Sequence, residues 1–432
     1  MLVVGRLIAV TYYLMFMMST GLASLTGSEA AQGLVLIAPA TYLGVAAIMG
    51  CLRLTTTGRI PGVLRSRGAT ILYVYVALYS VLYFPRAFSG LAAIGGTGSL
   101  LVHVGFWACI ANQHSRRGRP DDFWSDLWWS MILGVTFGLL SSLAFVGGSL
   151  ERGQLHNLSG VAPFVRSDLD VPFLAACVGL IAWDLLSKRG ASLPILGGRP
   201  PRQIVGGLLF VYAASIPILY SRRALILGLF MVISFQILPL SLKRASRRGV
   251  LFAPFVPFFW DALTTILLLV TQSSLLRVLI ARNDPAEIMS ASNRVTTWAE
   301  SIQFLSQWRM QHLIGYGGAP DWILPAGSDW VHTHNGVLQV IFDAGIVAAL
   351  LAGYLVIATL RQLTTHSASR SSSHRIALGM VVLWIILSGI EPTLRNYTIV
   401  HFTFITLVVG TFLALGSKAL AGSHSLCATP AP

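Results

Sequence analysis

Charged residues are scarce in this sequence. Of its 432 residues, 30 are Lys or Arg and 16 are Asp or Glu, so that 11% are charged while 55% are hydrophobic. Soluble globular domains carry about 25% charged residues. A chain so poor in charge cannot cover a water-facing surface, which excludes an ordinary soluble domain and predicts a protein that mostly faces lipid.

Cysteine is scarce as well. The four cysteines, Cys51, Cys109, Cys177 and Cys427, fall in apolar stretches or near the C terminus, and their spacing resembles no metal knuckle. Small disulfide-stapled domains and zinc sites need cysteines at short, regular spacings. We therefore predict neither a disulfide framework nor a cysteine metal site.

Long apolar runs are what the chain has instead. About 20 apolar residues cross a bilayer as a helix, and the sequence predicts an all-α integral membrane protein with twelve such helices. They are expected near 4–24, 31–52, 69–88, 91–112, 127–147, 171–187, 204–220, 224–242, 251–281, 334–360, 376–391 and 398–416. Because the first run is long and only Arg6 flanks it, we expect an uncleaved anchor rather than a signal peptide.

Basic residues collect in alternate loops between these runs. One side of the predicted membrane receives 20 of the 30 Lys and Arg residues. Short basic loops stay in the cytoplasm, so both termini are predicted to be cytoplasmic. Since the charge is spread over many short loops instead of one face, we do not expect nucleic-acid binding.

Two segments on the other side are longer than turns, 148–172 and 282–333. They divide the chain into helices 1–9 over 1–281, a large loop on the non-cytoplasmic side over 282–333, helices 10–12 over 334–418 and a cytoplasmic tail over 419–432. Within the large loop, apolar spacing over 286–313 predicts an amphipathic helix, and GYGGAP at 315–320 should end it. Because polar and aromatic residues gather there, we expect the chemistry in this region.

The motif HTHNGVLQVIFDAG at 332–345 contains His334 and Asn335, followed after nine intervening residues by Gly345. Upstream lie Arg294, Trp298 and a Gly-Tyr-Gly at 315–317, and further back a Ser-Arg pair at 221–222. In these residues the chain resembles the O-antigen ligase family, whose superfamily includes O-antigen polymerases and bacterial protein O-oligosaccharyltransferases. The resemblance covers roughly 220–350 in residues.

This resemblance implies a glycosyltransferase C-like membrane fold in the bacterial inner membrane. The implied reaction, in lipopolysaccharide biosynthesis, is inverting transfer of O-antigen from undecaprenyl diphosphate to lipid A-core at the periplasmic face, with neither cofactor nor metal. Polymerase and protein transferase are the alternatives within the superfamily. A non-catalytic lipid-glycan transporter is the alternative from another class, although only Asp343 lies well inside a predicted span and ion-coupled carriers usually need several acids there.

The predicted catalytic residues are Arg222, Arg294 and His334. Arginine suits a departing diphosphate because its planar fork donates charge-assisted hydrogen bonds and never deprotonates. Histidine suits a general base because its unperturbed pKa near 6.5 leaves it largely neutral. We therefore expect the two arginines to bind the diphosphate and His334 to accept the proton of the acceptor hydroxyl.

A further set of residues is predicted to support substrate binding: Arg223, Arg309, Asn335, Trp298, Tyr316 and Gly317. His332 and Glu391 are the secondary candidates for the base. For most of these residues a structural or lipid-binding role is the alternative. Outward arginines often contact lipid headgroups and loop Trp residues often anchor at the interface, while Glu391 can simply pair with Arg395.

Two patterns imitate metal sites. His332 and His334 alternate beside Asp329, and Asp168 and Asp170 form a DxD pattern. Histidines near a helix start more often cap or solvate it, and paired acids before a span are commonly solvated loop residues. We expect no bound metal at either place.

Overall fold

The structure is a computed structural model that describes residues 2–18, 37–49, 67–87, 90–145, 169–187, 202–220, 223–237, 251, 253–259, 294–318, 332–365, 372–391, 393–394 and 398–414. Within these ranges every regular element is helical, which confirms the predicted all-α class. The tail 419–432, most of the predicted loop 148–172, and residues 282–293 and 319–331 lie outside the described residues.

The helices are numbered in chain order. They are α1 Leu2–Val10, continued by a helical turn over 12–18, α2 Ile37–Met49, α3 Arg67–Ala87, α4 Gly90–Arg116, α5 Pro120–Phe145, α6 Asp170–Leu186, α7 Arg202–Leu219, α8 Arg223–Ile237, α9 Arg294–Ser306, α10 Gln311–Ile314, α11 Gly336–Thr365, α12 Ser372–Ser388 and α13 Ile399–Val409. A 3-10 segment spans Ala253–Phe259, and a π-helical turn, Gly410–Ala414, extends α13.

Four of the described helices are long and apolar enough to cross a membrane. Their candidate spans are Gly68–Ala87, Ala93–Arg116, Pro120–Ala144 and Gly336–Thr364. Large apolar side chains such as Val81, Ile94 and Leu350 are about 70% exposed on them. Largely exposed apolar side chains on long helices are expected of a surface that faces lipid, so the chain has the character of a helical membrane protein.

The centre of the bundle is formed by α6, α12 and α13, whose side chains are buried almost throughout. Polar contacts join the ends of these helices to one another. At one end the Asp170 carboxylate accepts a hydrogen bond from the backbone N–H of Ile399 at 3.0 Å, and at the other Arg375 pairs with Asp184 at 2.8 Å. The start of α12 and the end of α6 therefore lie together, opposite the end that carries the candidate site.

Two boundaries differ from the sequence prediction. Helix α5 begins at Pro120 rather than near 127, because proline and the acids Asp121 and Asp122 favour a first helical turn. The predicted ninth span, 251–281, begins instead with the 3-10 segment, where Pro254 and Pro257 lack the N–H groups that an α-helix needs.

The 3-10 segment also lies at the other end of the bundle from the one predicted. Positive-inside counting places residue 251 on the cytoplasmic side, next to Arg247 and Arg248. In the structure the Pro254 carbonyl accepts a hydrogen bond from the Asn335 side chain at 2.9 Å, and the Ala253 carbonyl lies against Gly389. The segment therefore packs against the start of α11 and the end of α12, beside the candidate site.

Helix α11 is kinked at Gly345, which has φ +90° and ψ 172°. The kink admits the backbone of the loop after α10, because the Leu313 carbonyl occupies the place that a Cβ at this position would need. Gly315 meets the same kink from the opposite side, since its own Cβ would lie 2.6 Å from the Gly345 nitrogen. The two glycines permit a close backbone approach between loop and helix.

Replacing Gly345 with alanine should destabilise the protein by roughly 1–3 kcal/mol, because a side chain at positive φ is strained and would displace the loop. Thermal unfolding in detergent would measure the loss. The matched control is Gly353→Ala in the same helix, where a Cβ meets nothing within 4 Å. If the two substitutions lower the unfolding temperature equally, the close approach at Gly345 is not what holds the loop.

Candidate functional site

The histidine motif forms the entry into α11. The helix begins at Gly336, so His334 precedes it instead of lying on its first turn. His334 has φ +53°, the one positive φ outside glycine in the described part of the chain. A non-glycine residue in this conformation costs free energy and persists where its surroundings hold it, which is frequent at functional sites.

Asn335 caps α11. Its side-chain oxygen accepts hydrogen bonds from the backbone N–H groups of Val337 and Leu338, and its amide nitrogen donates to the carbonyls of Pro254 and Gly389. The residue is fully buried. Because both N–H groups and the oxygen are engaged inside the protein, the structure favours a structural role for Asn335 over the predicted sugar contact.

Glu391 brings two predicted catalytic residues together. It follows α12 and is 7% exposed. One carboxylate oxygen accepts a hydrogen bond from Arg294 Nη2 at 3.1 Å, and the other lies 3.7 Å from His334 Nδ1. Three separate elements, the start of α9, the turn after α12 and the entry into α11, thus supply one cluster.

The cluster has the composition of an anion-binding site with a base beside it. Arg294 is the first residue of α9, and the helix N terminus adds its partial positive charge to that of the guanidinium. With the Nδ1 side of His334 turned to Glu391, Nε2 is the nitrogen that would take a proton; it is buried in this structure, so an acceptor hydroxyl would have to displace the groups that cover it. Glu391 is the weaker base candidate, because the charge-assisted hydrogen bond from Arg294 stabilises its carboxylate.

His332 lies beside His334, with ring centroids 4.1 Å apart and planes at 69°. Between them Thr333 is held from both sides: its N–H donates to the Gln339 side chain at 3.0 Å, and its carbonyl accepts from Trp298 Nε1 at 2.9 Å. Trp298 is 1% exposed. Its buried indole has no open face for a sugar ring, so the structure favours the anchoring role over the predicted substrate contact.

Arg309 and Tyr316 belong to a second group, built around the ring of Phe304. The Arg309 guanidinium lies over that ring, 4.9 Å from its centroid, and the rings of His312 and Tyr316 lie 5.2 and 5.4 Å from it. Burial lowers the pKa of His312, and the nearby Arg309 charge lowers it further. Burial likewise raises the pKa of Tyr316. Arg309 itself is exposed and can meet an anion from outside.

Gly317 allows the loop after α10 to pack closely against α11 and Arg86. Its N–H donates to the Asp343 carbonyl at 3.2 Å, and a Cβ there would lie 2.6 Å from that of Arg86. Arg86 donates from Nη1 to the carbonyls of Ile314 and Gly315 at 2.7 and 2.9 Å. Sequence reasoning did not single out Arg86, although an arginine at the outward end of an apolar run was a visible signal.

The remaining predicted positions lie partly outside the described residues. Arg222 and Asp168 are not described, and Arg223 is described only as the first backbone position of α8. Asp170 caps α13. In the described ranges no three His, Cys, Asp or Glu side chains converge as metal ligands do.

The described structure therefore joins Arg294, His334, His332 and Glu391, and it places Arg309 and Tyr316 in a second group. Neither a protein-family model nor a curated protein sequence matches the chain.

Proposed function

We propose that the protein is an O-antigen ligase, a glycosyltransferase that moves a polysaccharide from undecaprenyl diphosphate to lipid A-core in lipopolysaccharide biosynthesis. The observation that carries this proposal is the convergence of Arg294, Glu391 and His334 at one end of an apolar helical bundle. A cation for a diphosphate and a base for a hydroxyl are the two groups that such a transfer needs. The motif resemblance supplies the substrate class.

In the proposed reaction an acceptor hydroxyl attacks the anomeric carbon of the donor sugar. A new C–O bond forms as the bond to the diphosphate oxygen breaks, with inversion of the anomeric centre. The acceptor proton passes to His334, and the electron pair leaves with the diphosphate, whose growing charge Arg294 stabilises together with Arg222. Arg309 and Tyr316 are proposed to contact substrate on the outer side of the same loop.

The proposed setting is the bacterial inner membrane. We assign the chain twelve apolar segments, both termini to the cytoplasm and the cluster to the periplasmic face, because basic loops alternate with apolar runs along the sequence. The segment 251–281 departs from this alternation, since Ala253–Phe259 lies on the same side as the cluster. The acid-pairing arginine Arg6, with Asp126 at 2.9 Å, belongs to the opposite, cytoplasmic end in this arrangement. Lipid-linked glycan on the periplasmic leaflet would then reach the cluster directly.

Deletion of the gene in its host, followed by separation of lipopolysaccharide on a gel, tests the assignment. Ligase predicts complete core without O-antigen, together with O-antigen retained on its lipid carrier. Cores capped by a single repeat would instead indicate a polymerase, and loss of glycan from proteins with normal lipopolysaccharide would indicate a protein O-oligosaccharyltransferase. Donor that accumulates on the cytoplasmic leaflet would indicate a non-catalytic transporter.

Transfer by the purified protein should persist in excess EDTA. The proposed counter-charge for the diphosphate comes from arginine, so no divalent cation is needed. The rate of glycan transfer with and without chelator measures this. Loss of activity that Mg²⁺ or Mn²⁺ restores would reject the arginine assignment and favour metal ligands such as Asp168.

A further inference from the structure

Asp343 is a fully buried acid in the apolar helix α11. Its two carboxylate oxygens each accept a short hydrogen bond, one from Gln339 Nε2 and one from the Tyr79 hydroxyl of α3, both at 2.7 Å. A buried carboxylate inside a membrane helix is costly even when hydrogen-bonded, and such residues are by default candidates for a functional role.

Gln339 connects Asp343 to the segment that carries the histidines. While its amide nitrogen donates to Asp343, its oxygen accepts the Thr333 N–H at 3.0 Å. This is the amide orientation that satisfies both neighbours, because a carboxylate only accepts and a backbone N–H only donates. The buried acid therefore fixes the orientation of Gln339, and Gln339 fixes the backbone of Thr333.

Thr333 in turn joins the two halves of the candidate site. It lies between His332 and His334 in the chain, and its carbonyl accepts the indole N–H of Trp298 at 2.9 Å. Trp298 stands four residues after Arg294 on α9, which places the two side chains on one face of that helix. A displacement of Thr333 would therefore move the base and the arginine relative to each other.

The strained backbone of His334 makes such support necessary. A residue held at φ +53° relaxes unless its neighbours hold it, and the hydrogen bonds of Thr333 and Asn335 hold it on both sides. Asp343 also ties in the loop after α10, since its carbonyl accepts the Gly317 N–H. Residue 343 thus contacts α3 and Gln339 through its carboxylate, and the loop after α10 through its backbone carbonyl.

We infer that Asp343 and Gln339 are positioning residues for the transfer reaction, acting through Thr333 to hold His334 at its working distance from Arg294. The inference rests on the proposed function. It adds two residues that touch neither substrate nor reacting atoms, and it predicts that their hydrogen-bond direction, more than their charge, determines the rate.

A swap of the two polar groups tests this. Gln339→Glu alone sets two carboxylates against each other and should lower kcat by tenfold or more with little change in KM. Asp343→Asn alone should have a smaller effect, because the Tyr79 hydroxyl can reverse its hydrogen bond. The double variant Gln339→Glu with Asp343→Asn restores a donor–acceptor chain, since the amide introduced by the second substitution donates to the carboxylate introduced by the first. It should recover most of the lost kcat.

The control is Thr359→Val, at a buried position of the same helix away from the site, which should leave kcat unchanged. A second readout does not depend on transfer: the rate at which diethyl pyrocarbonate modifies His334, followed by peptide mass spectrometry. It should change in Gln339→Glu and return in the double variant.

If the parent protein shows no transfer, the proposed function fails, while the modification rates still test the positioning. If Gln339→Glu changes neither kcat nor the modification of His334, or if the double variant is no better than Gln339→Glu, the inference is wrong.

Discussion

Replacing His334 with asparagine should reduce glycan transfer by roughly a hundredfold to ten-thousandfold, the contribution of a general base, while donor binding stays nearly intact. The base acts on the acceptor proton and not on the diphosphate, which explains the separation. Asparagine is a better probe than alanine here, because His334 has φ +53° and asparagine tolerates that backbone. His334→Ala should lose as much transfer and also some stability.

The measurements are the transfer rate of the purified variant and, separately, its affinity for lipid-diphosphate glycan. His332→Ala is the matched control, since His332 lies against His334 but is farther along the chain from the α11 cap. We expect it to be milder. The base assignment fails if the two variants lose activity equally, or if His334→Asn keeps most of it.

Replacing Arg294 with lysine should slow transfer by about ten- to a hundredfold, equivalent to roughly 1.5–3 kcal/mol, the scale of one charge-assisted hydrogen bond. Lysine keeps a charge for Glu391 but lacks the second donor of the guanidinium fork. In the structure only Nη2 of Arg294 contacts Glu391, and Nε has no partner among the described residues. Lysine can keep the ion pair with Glu391 but cannot donate a second hydrogen bond to a diphosphate oxygen. The substitution therefore measures the contribution of that second hydrogen bond.

Arg294→Ala should cost more and should weaken donor binding too, because the ground-state diphosphate carries the same oxygens. Arg222→Lys is expected to behave like Arg294→Lys. Arg309→Lys is the control: its guanidinium is exposed over Phe304, so its effect should be smaller and should vary with lipid composition. Parent-like activity in both Arg222→Lys and Arg294→Lys, or greater damage from Arg309→Lys, would contradict the assignment.

The helical class was predictable because apolar run length alone determines it, and the long helices α3, α4, α5 and α11 lie where the runs predicted spans. The position of Ala253–Phe259 was not predictable, because the sequence of an apolar segment does not show at which end of a bundle it lies. Only its contacts with Asn335 and Gly389 reveal the end to which it belongs.

The sequence predicted which residues form the candidate site better than it predicted what each of them does there. Arg294 and His334 come together as the motif suggested, yet Glu391 contacts Arg294, 97 residues away in sequence, where local reasoning offered its neighbour Arg395. A motif also does not distinguish a residue that binds substrate from one that holds the motif in place. Asn335 proved to be a helix cap, a role that asparagine directly before a helix commonly has.

The position of Asp343 was visible as an isolated acid in an apolar run, but its partners were not. Tyr79 is 264 residues away and Gln339 is one helical turn away. Long-range pairings of this kind depend on how the helices pack, and the spacing of one helix does not contain that information.

The pairing of Arg294 with Glu391 has a consequence for the proposed binding of the donor diphosphate. Any anion that takes hold of Arg294 has to compete with a carboxylate of charge −1 already in contact with it. A phosphodiester headgroup carries the same single charge and gains little by the exchange, whereas a diphosphate brings more charge and more oxygens to the same guanidinium. Under the proposed function, an unpaired arginine at the membrane surface would bind ordinary phospholipid, whereas the carboxylate of Glu391 would favour the more highly charged donor at Arg294.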